Sequence, residues 1–177
     1  VAHFVEQDSK LDQDAFQRGN SVYLVDRTVT MLPPHLTTEV CSLQPHRDRL
    51  CHSAVLTMTD DGAIAASRTF RSVIRSAVRL TYGEVQEFFD QDRSASIPPS
   101  AQNILRDMRG LARALRTRRM QNGAIDLTIP EVRCQLDQRG HVVSIKKRAA
   151  AESYQLIEEF MLAANGVVAA ALRRHQV

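Results

Sequence analysis

The tripeptide Asp60-Asp61-Gly62 constrains the fold most strongly, because it separates two extended runs, residues 51–59 and 63–69. Asp-Gly between two such runs is a strong short-range signal for a β-hairpin. A second pair of extended runs, residues 132–136 and 142–145, flanks Gln138-Arg139-Gly140. The sequence therefore predicts antiparallel hairpins, and not the alternating strands and helices of a parallel sheet.

Helices are predicted at four places by capping residues and apolar periodicity; they are residues 11–18, 82–89, 101–120 and 152–174. Residues 69–82 fit both a strand and a helix, and their serine and β-branched content favours a strand. The chain of 177 residues is 44% hydrophobic and 24% charged, which is typical of globular proteins. The predicted class is α+β, an antiparallel sheet wrapped by helices, with an inner break near the proline-containing residues 94–100.

Composition also bears on the compartment. No run approaches the ~20 apolar residues of a membrane span, since Glu158, Glu159 and Asn165 interrupt the richest stretch. Three cysteines at irregular spacing argue against a disulfide framework and for a reducing, cytoplasmic compartment.

The net charge of +3 does not by itself indicate a nucleic-acid partner. The start lacks both an initiator Met and a signal peptide, so we expect a piece of a longer protein.

Two groups of side chains could suggest metal sites. Asp8, Asp12 and Asp14 lack the spacing of a calcium loop, and are interpreted as acidic residues at a helix start. The second group has no pair of cysteines at zinc-site spacing; its members are Cys41, His46, Cys51 and His52. We therefore predict no metal ligand in this chain.

Charged residues on the two long helices leave alternatives open. Residues 106–119 hold six arginines, which suit either a solvated helix face or contact with phosphate. In the last helix we expect Glu158 to lie close to the apolar stripe and Glu159 to face solvent. The residues of this stripe are Leu156, Ile157, Phe160, Met161, Ala164, Val168 and Leu172. A charge beside an apolar stripe is either paired or functional.

Several stretches taken together are similar to a known family. They are residues 18–24 (RGNSVYL), 31–36 (MLPPHL), 41–43 (CSL), 48–50 (DRL), 77–85 (AVRLTYGEV), 123–131 (GAIDLTIPE) and 156–165 (LIEEFMLAAN). Their order and spacing resemble the RNB-type exoribonucleases, the family of ribonuclease II and ribonuclease R. The resemblance implies that residues 1–177 are an internal part of one RNB-like catalytic domain, incomplete at both ends.

The family degrades single-stranded RNA processively from its 3′ end to nucleoside 5′-monophosphates, using magnesium. The resemblance implies that Tyr23 stacks on a base, that Tyr82 lies beside the terminal nucleotide, and that Glu158 contacts the terminal ribose. Tyr82 and Glu158 are thus the catalytic candidates, and Tyr23 is an RNA-binding one. Arg49 and Arg79 lie in matching stretches and are predicted to contact RNA.

The sequence also departs from the family pattern. Leu127 stands where some members have an aromatic residue, so it can pack against a base but cannot stack on it. The family's magnesium ligands, a D-x₅-D-x-D-D cluster, precede the stretch that matches Val1, and an S1-like RNA-binding domain follows the matched region. We therefore expect the rest of the parent polypeptide to supply both. The alternative is a non-catalytic RNA-binding or scaffold protein with an RNB-like fold.

Overall fold

In the computed structural model of the chain, residues 1–92, 96–126, 132–147 and 151–174 are described. They fall into two compact units. The first contains residues 1–50, 73–77 and 132–147, and the second contains residues 51–72, 78–92, 96–126 and 151–174.

Helix α1 of the first unit spans Lys10–Arg18, and local signals set both of its ends. The Ser9 hydroxyl oxygen accepts a hydrogen bond from the Asp12 N–H (3.2 Å), which satisfies one of the free donors of the first turn. Gly19 ends the helix at φ +70°, a conformation that glycine adopts without steric cost. The helix predicted at residues 11–18 is confirmed.

The other elements of the first unit are short. Strand β1 (Val22–Tyr23) pairs antiparallel with β2 (Thr28–Val29). After Pro33-Pro34, the segment His35–Val40 forms a π-helix, which the sequence did not predict. Strand β5 (Val132–Leu136) pairs antiparallel with β6 (Val142–Lys147), as the second predicted hairpin requires.

The hairpin predicted at Asp60-Asp61-Gly62 is present. Strand β3 (Asp48–Met58) pairs with β4 (Ile64–Arg75) across this turn, which is closed by the Thr59 N–H donating to the Ala63 carbonyl (2.9 Å). Gly62 has φ +79°, and a Cβ there would lie 3.0 Å from the Leu115 backbone nitrogen. Glycine is therefore required twice, for the turn and for close contact with the neighbouring helix.

Three helices build the second unit. They are α2 (Tyr82–Gln91), α3 (Pro99–Gln121) and α4 (Glu152–Arg174). Pro99 stands at the first position of α3, where its missing N–H costs no hydrogen bond. The buried core lies among these helices; its members are Val85, Phe88, Phe89, Ile97, Leu105, Ala112 and Leu156.

The ambiguous residues 69–82 divide between the two predicted states. Strand β4 continues to Arg75, and α2 begins at Tyr82. The strand interpretation is correct for the first half only. The sequence Thr81-x-x-Glu84 is a capping-box pattern, which marks the start of a helix.

Helix α4 corrects the prediction about membrane spans. By length and composition alone it could cross a membrane, a test that the core helix of a soluble protein also passes. Its Leu156 is buried in the helical core, and Glu152 and Glu159 pair with arginines of α3. These contacts pack one face of α4 against the second unit, and most residues of its apolar window are not buried.

The α+β class with antiparallel strands is confirmed. Among the described residues the strands form three two-stranded ribbons, β1–β2, β3–β4 and β5–β6, rather than one continuous sheet. The inner break predicted near residues 94–100 stays a prediction, since residues 93–95 lie outside the described part of the chain.

Candidate functional site

Reciprocal hydrogen bonds at the start of α2 fix the position of Tyr82. The Glu84 N–H donates to the Thr81 hydroxyl oxygen (3.3 Å), and the Thr81 N–H donates to Glu84 Oε2 (2.7 Å). The Thr81 hydroxyl also donates to this carboxylate, and Thr81 thereby lowers the pKa of Glu84. Tyr82 follows as the first residue of α2, with 43% of its surface exposed.

A second tyrosine supports the Tyr82 ring. The ring centroids of Tyr82 and Tyr154 lie 4.2 Å apart, with an angle of 37° between the planes. Next to Tyr154, the buried Ser153 donates its N–H to Gln86 Oε1 (3.1 Å), which ties the start of α4 to α2. Helices α2 and α4 each carry one of the two tyrosines, and their contact therefore holds the two rings together.

The two adjacent glutamates of α4 have opposite environments, and the prediction about them is wrong. Glu159 is the buried one, with 2% of its surface exposed, whereas Glu158 is exposed. Arg119 donates to both carboxylate oxygens of Glu159 (2.6 and 3.1 Å), and its Nη2 lies 3.6 Å from Glu158 Oε1. Arg116 Nη1 also lies 3.6 Å from Glu159. The buried carboxylate is paired, and Glu158 faces solvent one turn after Tyr154.

The six arginines of α3 form ion pairs, which neither alternative had included. Each lies within ion-pair distance of a carboxylate; the pairs are Arg106–Asp92, Arg109–Glu152, Arg113–Glu152, Arg116–Asp126, Arg118–Asp61 and Arg119–Glu159. Arg109 and Arg113 hold the pKa of Glu152 at about 2. This arginine face therefore fastens α3 to its neighbours, which argues against a primary role in binding phosphate.

In the first unit, Tyr23 is the exposed aromatic residue that the resemblance selects. Tyr23 lies on β1 opposite Thr28, and 80% of its surface is exposed. A ring exposed to this extent is free to stack on a base. The stacking role predicted for Tyr23 fits this placement and stays a prediction.

Arg49, also in the first unit, has its guanidinium engaged with the chain. It donates to the backbone carbonyls of Ser42 (2.8 Å) and Glu39 (3.1 Å), and to Gln44 Oε1 (3.2 Å). These bonds give Arg49 a role in shaping the loop before β3. Its predicted contact with RNA stays a prediction.

Two predicted site residues remain, and the structure describes only one of them, Arg79. Arg79 is exposed, and its charge contributes to lowering the pKa of Glu84, so it lies near the start of α2. Leu127 lies outside the described residues. In the second unit, Arg79 thus lies near the start of α2, where Tyr82 is the first residue. Glu158 lies one turn beyond Tyr154, which contacts Tyr82.

No group of three or more His, Cys, Asp or Glu side chains within the described ranges could hold a metal ion. Asp12 and Asp14 instead have local partners: Asp12 Oδ2 accepts from the Asp8 N–H (2.9 Å), and Asp14 Oδ2 accepts from Arg18 (2.9 Å). These side chains do not fit a magnesium site.

An exposed tyrosine near an exposed carboxylate suits a protein that binds nucleic acid through base stacking and sugar contacts. Comparison with known proteins agrees, since the RNB domain matches residues 1–177. The chain belongs to the RNB domain family. The family suggested by the sequence motifs is confirmed.

Named relatives and a solved structure extend this result. The chain is 39% identical to Ribonuclease R of Thermotoga maritima over 170 residues, which cover 96% of this chain and 24% of that protein. It is also 39% identical to the Exosome complex exonuclease RRP44 homolog A of Arabidopsis thaliana, covering 96% of this chain and 18% of that protein. The structure of Mycoplasma genitalium RNase R in complex with ribose methylated single-stranded RNA superposes with a TM-score of 0.94 at 26% identity, over 100% of this chain and 28% of that chain. The chain thus spans between 18% and 28% of the length of these three proteins.

The sequence did not single out Tyr154 or Arg119 as individual site residues. Tyr154 precedes Glu158 by four residues, which places both on one face of a helix. That spacing was a usable signal. No comparable signal pairs Arg119 with Glu159, because these residues are separated by 40 positions in the chain.

Proposed function

We propose that the full-length protein containing this chain is a processive 3′→5′ exoribonuclease that degrades single-stranded RNA to nucleoside 5′-monophosphates. Membership of the RNB family supports this proposal, as do relatives named Ribonuclease R and exosome complex exonuclease. The three cysteines are free, which fits a cytoplasmic protein.

One observation in this structure carries the proposal. The exposed Tyr82 contacts Tyr154, and the exposed Glu158 lies one helical turn beyond Tyr154 on α4. An aromatic face and a carboxylate at this spacing can hold the base and the ribose of one terminal nucleotide. A carboxylate that accepts a hydrogen bond from the 2′-hydroxyl distinguishes RNA from DNA.

The other predicted residues take supporting roles in this proposal. Tyr23 stacks on a base near the 3′ end, and stacking tolerates any sequence because every base has a π face. Arg79 contributes positive charge near the start of α2. The packing of Leu127 against the last base stays a prediction from the sequence, since Leu127 lies outside the described residues.

Magnesium is proposed as the cofactor, with ligands supplied by residues outside this chain. When bound, it would activate water and stabilise charge on the scissile phosphate. The residues of this chain bind and orient the 3′ end, and they need no proton transfer for that task.

The test is to incubate the full-length protein with 5′-labelled oligo(A) RNA and with the matching DNA, in magnesium and in EDTA. In magnesium only, we expect the 5′-labelled RNA to be converted to a short end product with few intermediate lengths, as nucleoside 5′-monophosphates are released from its 3′ end. RNA binding without any release of monophosphates would favour the alternative, a non-catalytic RNA-binding protein. Cleavage that begins within the strand would contradict both readings.

A further inference from the structure

Tyr154 contacts the proposed RNA-binding site, but the proposed function gives it no role of its own. Its ring contacts the Tyr82 ring at a centroid distance of 4.2 Å and an angle of 37°. Aromatic rings attract at this separation in offset and tilted arrangements. Tyr82 is exposed, whereas Tyr154 is half-buried, so Tyr154 is the supporting ring of the pair.

The backbone near Tyr154 is held firmly. The adjacent Ser153 is 1% exposed, and its N–H donates to Gln86 of α2 (3.1 Å). One residue earlier, Glu152 forms ion pairs with Arg109 (2.5 Å) and Arg113 (2.5 Å) of α3. The first turn of α4 is thus fixed to both neighbouring helices, and the Tyr154 ring starts from a rigid base.

Tyr154 also lies close to the carboxylate of the proposed site. Residues four apart on a helix occupy the same face, so Tyr154 and Glu158 are neighbours on α4. Tyr154 therefore contacts one proposed RNA-binding side chain and lies one turn from the other.

We infer that Tyr154 is a positioning residue, which holds the Tyr82 ring in the orientation that receives the terminal nucleotide and sets its spacing from Glu158. This inference rests on the proposed function. Without Tyr154, the exposed Tyr82 ring samples other rotamers and must be ordered when RNA binds. Ordering a side chain on binding weakens affinity, and a ring held in advance avoids that loss.

The experiment is a double-mutant cycle in the full-length protein, with Tyr82→Ala, Tyr154→Ala and the double variant. Affinity for a short oligo(A) labelled at its 3′ end with a fluorescent adenine analogue is measured in EDTA, where hydrolysis does not interfere. We expect Tyr154→Ala to weaken binding about two- to tenfold, the range expected for loss of one aromatic pair. In the Tyr82→Ala background the same change should have little further effect, because the residues act as a unit.

Two further variants separate positioning from structural support. Tyr154→Phe keeps the ring and should bind as the wild type does, whereas Tyr154→Leu keeps apolar volume without a ring and should match Tyr154→Ala. Leu172→Ala is the control, since Leu172 is an exposed aliphatic residue near the other end of α4. Thermal melting of every variant should stay close to that of the wild type.

The outcomes are distinct. Additive effects of Tyr82→Ala and Tyr154→Ala, or an unchanged affinity in both Tyr154→Ala and Tyr154→Leu, would overturn the positioning role while leaving the proposed function intact. A wild-type protein that binds no RNA would overturn the proposed function, and the inference with it. Loss of melting temperature in Tyr154→Leu, with normal affinity of the folded fraction, would make Tyr154 structural only.

Discussion

At the scale of single residues, two adjacent glutamates of α4 have opposite environments. Glu158 is exposed, and Glu159 is buried against Arg119 and Arg116. We expect Glu158→Ala in the full-length protein to reduce the preference for RNA over DNA by about one to two decades. The reason is that a hydrogen bond to a charged acceptor contributes roughly 1.5–3 kcal/mol. The measurement is the ratio of cleavage rates on matched RNA and DNA strands.

Glu159→Ala is the matched control for this prediction. It removes the buried partner of Arg119, while Arg116 keeps its ion pair with Asp126, so it should lower stability by about 1–3 kcal/mol. Glu158→Ala should leave the melting temperature nearly unchanged. An unaltered RNA-to-DNA ratio in Glu158→Ala, accompanied by a large drop in melting temperature, would show that Glu158 supports the fold and does not contact the sugar.

At the scale of elements, the ion pairs between α3 and α4 make the stability of the folded protein depend on pH. Arg109 and Arg113 hold the pKa of Glu152 at about 2, below its ordinary value of 4.5. The folded state therefore gains stability from ionised Glu152 above about pH 4.5, and this gain is lost as pH falls from 4.5 to about 2. We expect Glu152→Gln to lose on the order of 2 kcal/mol at pH 7. The difference from the wild type should shrink steadily below pH 4.5.

Urea unfolding of the wild type and Glu152→Gln at several pH values between 7 and 2.5 measures this difference. Glu158→Gln serves as the control, since it makes the same chemical change at an exposed position of the same helix. A gap between the wild type and Glu152→Gln that stays constant down to pH 2.5 would show that the ion pairs do not stabilise the folded protein.

The β3–β4 turn gives a second prediction at this scale. Gly62→Ala meets both a positive φ and the backbone of α3, since its Cβ would lie 3.0 Å from the Leu115 nitrogen. Gly140→Ala meets only the positive φ, as no atom lies within 4 Å of its Cβ. We expect a loss of about 1–2 kcal/mol for Gly140→Ala. Gly62→Ala should cost about 1–3 kcal/mol more, from overpacking.

Chemical unfolding of both glycine variants makes the comparison. Equal losses of stability would mean that the hairpin turn moves away from α3 at little cost, and that the close contact does not constrain it.

The elements that the sequence predicted correctly have local causes. A turn signal marks the β3–β4 hairpin, a glycine ends α1, and Pro99 stands at the start of α3, so these boundaries fall within a few residues of the prediction. The π-helix His35–Val40 was missed, because its i→i+5 hydrogen bonds leave no distinctive residue pattern.

The orientation of α4 was harder to predict than its length. Hydrophobicity alone places Ile157 and Met161 in the core, yet both are exposed, and Glu159 is buried in their place. A buried glutamate is stable only with its partners, and those arginines lie far away in sequence. For the same reason, the tyrosine pair of the candidate site follows from tertiary packing and not from either tyrosine alone.

At the scale of the whole molecule, the 177 residues hold features suited to RNA binding, but their described part has no metal-binding cluster. We expect these residues, expressed alone, to release no nucleoside monophosphates from labelled oligo(A) in magnesium, because phosphodiester attack then lacks an activated water. The measurement is thin-layer chromatography of the products against a blank without protein. Release above that blank would place the metal ligands within these residues, and the full-length protein serves as the positive control.

Because Glu158 and Glu159 have opposite environments, the exact position of each residue along α4 is as important as its chemical type. One residue turns an α-helix by about 100°. A single-residue insertion between Tyr154 and Ile157 would carry Glu158 to the angular position of Glu159, facing Arg119, and Ile157 to the solvent position that Glu158 now occupies. Every functional side chain would still be encoded, yet the carboxylate would be lost from the surface. A graft of this helix into another protein must therefore keep the count of residues between Tyr154 and Glu158 unchanged.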